Sequence, residues 1–198
     1  MLLSCLKHNF RSPVLALLLN CYSIVLCLII IAGGYRRLLL MVTGFTLAHS
    51  VTLSLAALNI FRLPTELVEW LIALSILLLV VEIIKRSRAG AGVQDSFTWR
   101  HPLSASSVFG LLHGFEFAVV LQELGLAASL KIQALLFFNI GVEVGQLIFI
   151  AVNLTLPMVV LRAMPALTAS AAMLTPLLVY GVGITSSYWF VERTGVFL

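Results

Sequence analysis

Inside runs apolar enough for lipid, this chain keeps His49 in "GFTLAHSVTLSL", His113 and Glu116 in "FGLLHGFEFA", Glu143 in "FNIGVEVGQ" and Glu69 in "LPTELVEW". Ionisable side chains are costly in a bilayer and usually face a bundle interior or a watery path. Their spacing follows the helical period. His113 and Glu116 are i,i+3 and share a face. Asn139, Glu143 and Gln146 run i, i+4, i+7, and Thr46, His49 and Thr52 run i, i+3, i+6. Three helices would each present one polar stripe, and the economical arrangement points all three at a common centre. Three chemistries fit such a centre. Imidazole nitrogen with carboxylate and amide oxygen suits a divalent transition cation. His and Glu can also relay protons. Interhelical hydrogen bonds alone would be a structural use.

The elements that must position these residues follow from composition. The chain has 198 residues, 61% of them hydrophobic and 10% charged, with a mean hydropathy of +1.12. Soluble domains carry about 25% charged residues, so this surface is built for a bilayer. Six stretches are long enough to span, at about 13–33, 37–60, 65–84, 103–124, 130–155 and 167–190. Pro64 sits at the first turn of the third, Pro102 precedes the fourth, and Pro157 stops the fifth. The reading is an all-α, polytopic membrane protein: residues 1–198 as one domain, a bundle of six transmembrane helices. Gly110 and Gly114, like Gly141 and Gly145, form G-x-x-x-G pairs that let backbones approach closely.

Residues 85–101, "KRSRAGAGVQDSFTWRH", read as a mobile aqueous loop. Seven of the basic residues (Arg36, Arg37, Lys85, Arg86, Arg88, Arg100 and Arg162) fall in the odd-numbered loops. Lys7, Arg11, Arg62, Lys131 and Arg193 fall at the termini and in the even-numbered gaps. The positive-inside rule then puts the odd loops in the cytoplasm and both termini outside. The stretch 13–33 is long for a signal-peptide core and no A-x-A site follows it, so it reads as a retained helix. The formal charge of +4 is a matter of loops. No basic run is interleaved with aromatics, and no nucleic-acid partner is expected. Cys5, Cys21 and Cys27 match no zinc spacing, and Cys21 and Cys27 lie too far apart along one helix to bridge. Glu66, Glu82, Glu123 and Glu192 lie near helix ends and read as solvated, His8 and His101 lie outside the spans, and Tyr188 with Trp189 reads as an interfacial belt.

In combination, "RRLLLMVTGFTLAHSVTLSLAAL", "RLPTELVEWLIALSI", "GLLHGFEFA", "FNIGVEVGQ" and "YWFVERT" resemble the HupE/UreJ family of membrane proteins, over about residues 36–194 and in family order. Relatives go with hydrogenase or urease gene clusters and are regarded as nickel permeases or nickel-supply accessories. The resemblance implies that His49, His113, Glu143 and Gln146 occupy the family's polar motif positions and Glu69 its "VE" position. The sequence departs from the pattern twice. Relatives carry an Asp-His pair on the first helix, where this chain has Asn20, Cys21 and Tyr22. Glu116 stands where relatives commonly have Gly, one turn from His113, and could compensate for the lost acid.

The expected function is transport or supply of a divalent transition-metal ion, nickel first. The ion would sit among His49, His113, Glu116, Glu143, Gln146 and Glu69, with alternating exposure to the two sides. The expected partners are the lipid bilayer and the ion as substrate, with no permanently bound cofactor. The expected location is the bacterial inner membrane. No Walker motif is present, so a gradient or a partner must supply energy. The alternatives are a non-transporting scaffold or accessory subunit and, more remotely, an intramembrane hydrolase using Ser50 with His113.

Overall fold

The computed structural model describes residues 13–61, 63–89, 97–123, 131–164 and 168–195. Six long helices account for nearly all of them: α1 (Pro13–Ala32), α2 (Tyr35–Ala57), α3 (Thr65–Ala89), α4 (Pro102–Glu123), α5 (Lys131–Ala163) and α6 (Thr168–Thr194). A single helical turn, Phe97–Arg100, precedes α4. No strand occurs among the described residues. Among the described residues four helices are long and apolar enough to cross a membrane: Tyr35–Ala57, Thr65–Arg88, Ile132–Ala163 and Met173–Thr194. In α1 the stretch Leu19–Ala32 is apolar but shorter, and α4 is interrupted along its length by serines, glycines, His113 and Glu116.

The chain breaks where its backbone chemistry demands. Gly33, at φ 63, takes the left-handed turn between α1 and α2 that a side chain would disfavour. Asn59 does the same after α2, at φ 61. There the Ile60 N–H reaches the Leu55 carbonyl (2.9 Å) and the Asn59 N–H the Ala56 carbonyl (3.1 Å), the paired bonds of a Schellman stop. Pro102 opens α4, where no N–H is needed.

Two expected boundaries move. α3 continues through Lys85, Arg86 and Arg88 to Ala89, so the first residues of the 85–101 segment are helical and the rest of its described part is the turn Phe97–Arg100; residues 90–96 lie outside the described residues. Basic side chains in a last turn suit the helix dipole. α5 passes through Pro157 to Ala163 and does not stop there. Proline inside a membrane helix is tolerated, at the loss of one backbone donor; in the turn before it Asn153 Nδ2 and Thr155 Oγ1 bond the Phe149 and Ala151 carbonyls, at 2.9 and 2.7 Å.

The core is aliphatic and lies between α1, α2 and α3, with Ile24, Leu28, Met41, Phe45, Ile72 and Ile76 among its buried residues. α2 packs most extensively on α4, and α3 on α6. α5 touches the bundle along a narrow line, chiefly against α2. Trp189 is not part of an interfacial belt: it is buried against Ala73, while its neighbour Tyr188 is exposed.

Candidate functional site

The seam between α2 and α4 places the histidines. A Cβ on Gly110 would overlap the backbone of Phe45, and one on Gly114 would overlap Thr52 Oγ1 and the His49 carbonyl. Only glycine permits this approach. On the next turns His49 and His113 become fully buried, both against the Phe45 ring, whose centroid lies 6.0 Å from His49 and 5.5 Å from His113. Phe117 closes on His49 edge-on at 5.1 Å.

Their nitrogens are left in an unusual condition. His113 Nδ1 lies 3.1 Å from the Phe109 carbonyl, which can only accept, so Nδ1 carries the proton and Nε2 keeps its lone pair. Nε2 has no hydrogen-bond partner, and neither ring nitrogen of His49 has one. Glu116, one turn along α4, is buried. Its Oε1 accepts from Asn20 Nδ2 on α1 at 3.1 Å, while its Oε2 and Asn20 Oδ1 are unpartnered. From α5, Gln146 Oε1 accepts from Thr46 Oγ1 at 3.1 Å. Asn139 on α5 lies close enough to His49 for its side chain to act on the ring as a hydrogen-bonding neighbour, but no bond of full geometry forms, and its Oδ1 is buried. Six buried polar atoms without partners thus belong to Asn20, His49, His113, Glu116 and Asn139.

The remaining candidates lie elsewhere. Glu143 is exposed on α5, so the expectation that it faces the interior is not met in the single chain. The reason is angular: at ~100° per residue it points about 60° away from Gln146, and α5 meets α2 along too narrow a line to cover both. Gly141 and Gly145 likewise meet no neighbouring element, so they do not mediate close packing here. A cleft of about 720 Å³ separates this face of α5 from α1 and α4, bordered by Tyr22, Phe117, Gly145 and Gln146. Glu69 pairs with Arg193 Nε at 2.8 Å, linking α3 to α6, and reaches Glu116 only through its field. Among the described residues no three His, Cys, Asp or Glu side chains stand close enough together to hold a metal ion. Amide oxygens or a shift of α5 would have to complete a shell.

Ser50 Oγ donates to the Thr46 carbonyl at 2.7 Å, a bond within its own helix, which gives the hydrolase arrangement no support. Cys21 and Cys27 are free thiols, as their spacing predicts. Glu82 accepts from Thr98 Oγ1 at 2.6 Å and is half-buried, not simply solvated. Cys5 and His8 lie outside the described residues. Asn20 and Asn139 are functional candidates that the motif reading undervalued; their signal was an amide side chain within an apolar helix.

The architecture defines an integral membrane protein of packed apolar helices with a buried polar cluster at its centre. The family model described as HupE / UreJ protein matches residues 22–193, and the chain belongs to that family. It is a family of metal supply or metal permeation, in general terms, and not one of enzymes. No curated protein and no solved structure matches the chain significantly.

Proposed function

We propose that this protein carries or supplies a divalent transition-metal ion across the membrane, nickel first among the candidates, through the cluster between α1, α2, α4 and α5. The observation that supports this reading is the concentration of unpartnered buried polar atoms on His49, His113, Glu116, Asn20 and Asn139. Buried polar groups are rarely left without partners unless they serve something else. In this reading His49 and His113 supply neutral imidazole nitrogens. Glu116 supplies the negative charge that a dication needs in a low dielectric. Gln146 and Asn139 offer amide oxygens. Glu143 joins when α5 turns toward α2, and Glu69 stays on Arg193 at the edge. A gradient or a partner supplies the energy. The odd-numbered loops face the cytoplasm of a bacterial inner membrane.

A second reading, a non-transporting accessory subunit, draws on Glu143, which is exposed among the apolar side chains Ile140, Val144 and Leu147 as a contact to another chain would be.

The test is uptake of Ni, Co, Zn and Mn into cells, normalised to inserted protein, for His49→Ala, His113→Ala and Glu116→Gln. Each variant should lose uptake per molecule by at least about tenfold while accumulating normally. Unchanged uptake per molecule in all three would end the transport reading in favour of the accessory one.

A further inference from the structure

A second cavity, of about 620 Å³, shares no residue with the histidine cluster. It lies where the C-terminal ends of α1 and α3 meet the first half of α6. Its lining has two characters. Ile30, Ile83 and Val179 contribute apolar surface, and Arg86, Arg88 and Tyr180 contribute polar groups. Arg86 is anchored: its NH1 donates to the Ile31 carbonyl at 3.2 Å. Arg88 and Tyr180 are exposed. Glu82 also borders the cavity, but its Oε2 accepts from Thr98 Oγ1 on the turn before α4.

We propose that this cavity binds an anionic phospholipid, its phosphate on Arg86 and Arg88 and one acyl chain along the isoleucines. Guanidinium groups are the side chains best matched to phosphate oxygens. Two full positive charges stand against one carboxylate. The ends of α1 and α3 oppose an anion by about half a charge each, but the Ile31 carbonyl of α1 is already bonded by Arg86. The location agrees. The alternation of the helices puts this cavity on the same membrane face as Arg36, Arg37, Lys85, Arg100 and Arg162. Basic pockets between helices on such a face are where anionic headgroups bind. A free phosphate would satisfy the arginines but leave the aliphatic wall uncovered, and the paired characters of the cavity therefore favour a lipid.

The test uses the purified full-length chain in a neutral detergent, with thermal unfolding followed as phosphatidylglycerol, phosphatidylcholine or inorganic phosphate is added. Phosphatidylglycerol should raise Tm by about 5 °C and phosphatidylcholine or phosphate by less than about 1 °C. Arg88→Gln should remove at least half of the phosphatidylglycerol increment. Arg162→Gln, an exposed arginine on the same face outside the cavity, should retain it. Equal shifts from the two lipids, or an undiminished shift in Arg88→Gln, would overturn the proposal. A shift reproduced by inorganic phosphate alone would overturn the lipid assignment. Because the readout is lipid-dependent stability, it does not depend on whether the chain moves metal.

Discussion

On α4, Gly110 and Gly114 lie so close to α2 that a methyl group on either would strike the Phe45 or His49 backbone. On α5, Gly141 and Gly145 have the same spacing, and a methyl group on either would meet nothing within 4 Å. The same contrast holds for the glutamates beside them. Glu116 is buried and bonded by Asn20, whereas Glu143 is exposed. A small-residue pair is therefore half of an interface, and its meaning depends on the opposing surface. α2 supplies that surface to α4, with a polar stripe of Thr46, His49 and Thr52 that is buried throughout. Among the described residues nothing packs against the glycine face of α5, which borders the cleft toward α1 and α4. The difference separates a close seam, which sets the histidine geometry, from a helix that makes few contacts with the rest of the bundle.

The sharpest way to break this comparison is to make the same substitution on both helices. Gly110→Ala and Gly114→Ala each add a methyl group against backbone, which cannot yield as a side-chain tip can. Overpacking of this kind costs about 1–3 kcal/mol, and in a chain of this size Tm should fall by about 2–12 °C. Uptake should fall with it, because His49 and His113 are held by the same approach. Thermal unfolding in detergent checks the first effect and per-molecule uptake the second. If Gly114→Ala unfolds at the unmutated temperature, the seam is looser than its geometry requires.

The next effect concerns the buried carboxylate. Asn20→Ala removes the donor from Glu116 Oε1. A hydrogen bond to a charged group contributes about 1.5–3 kcal/mol, so Tm should drop by about 5 °C. Glu116→Gln keeps an oxygen for Asn20 and should lower Tm less, yet abolish uptake, because the charge is gone. The two variants should thus rank in opposite order for stability and for transport. The same order in both assays would mean that the Asn20–Glu116 pair only fastens α1 to α4.

Much of this fold was legible in the sequence. Apolar run lengths and the proline and glycine punctuation gave six helices whose starts agree with the observed ones within a few residues. Their far ends were harder to read. The expected stop at Pro157 failed: α5 runs on to Ala163, since a proline inside a membrane helix removes one backbone donor without having to end the helix. The expected loop at Lys85 failed because a basic last turn favours helix. Within the site, helical spacing correctly put His49, His113 and Glu116 inside. It could not separate Glu143 from Gln146, because period alone does not say how wide a face the neighbouring helix will cover. Nor could it show that Asn20 and Glu116, the two departures from the family pattern, touch one another across 96 positions. That contact exists only once α1 and α4 are packed.

The smallest effects on stability are expected on α5, and there uptake carries the information. Gly141→Ala meets open space and should change stability by no more than about 0.5 kcal/mol, leaving uptake intact. Glu143→Gln should be as quiet in thermal unfolding, since no described hydrogen bond or ion pair holds the carboxylate. Its neighbours Ile140, Val144 and Leu147 are exposed and apolar, so a glutamate fixed in that direction would stand in lipid at a cost of a few kcal/mol. A carboxylate that turns inward when a dication arrives would recover part of that cost by pairing with the ion. A rotation of about 60° would turn Glu143 to the direction Gln146 now takes toward α2, about 4.5 Å further back along the helix axis. Glu143→Gln should therefore reduce uptake per molecule at unchanged Tm, and Glu143→Asp should restore part of it. If Glu143→Gln transports as the unmutated chain does, α5 keeps its present angle throughout, and α1, α2 and α4 alone must carry the ion.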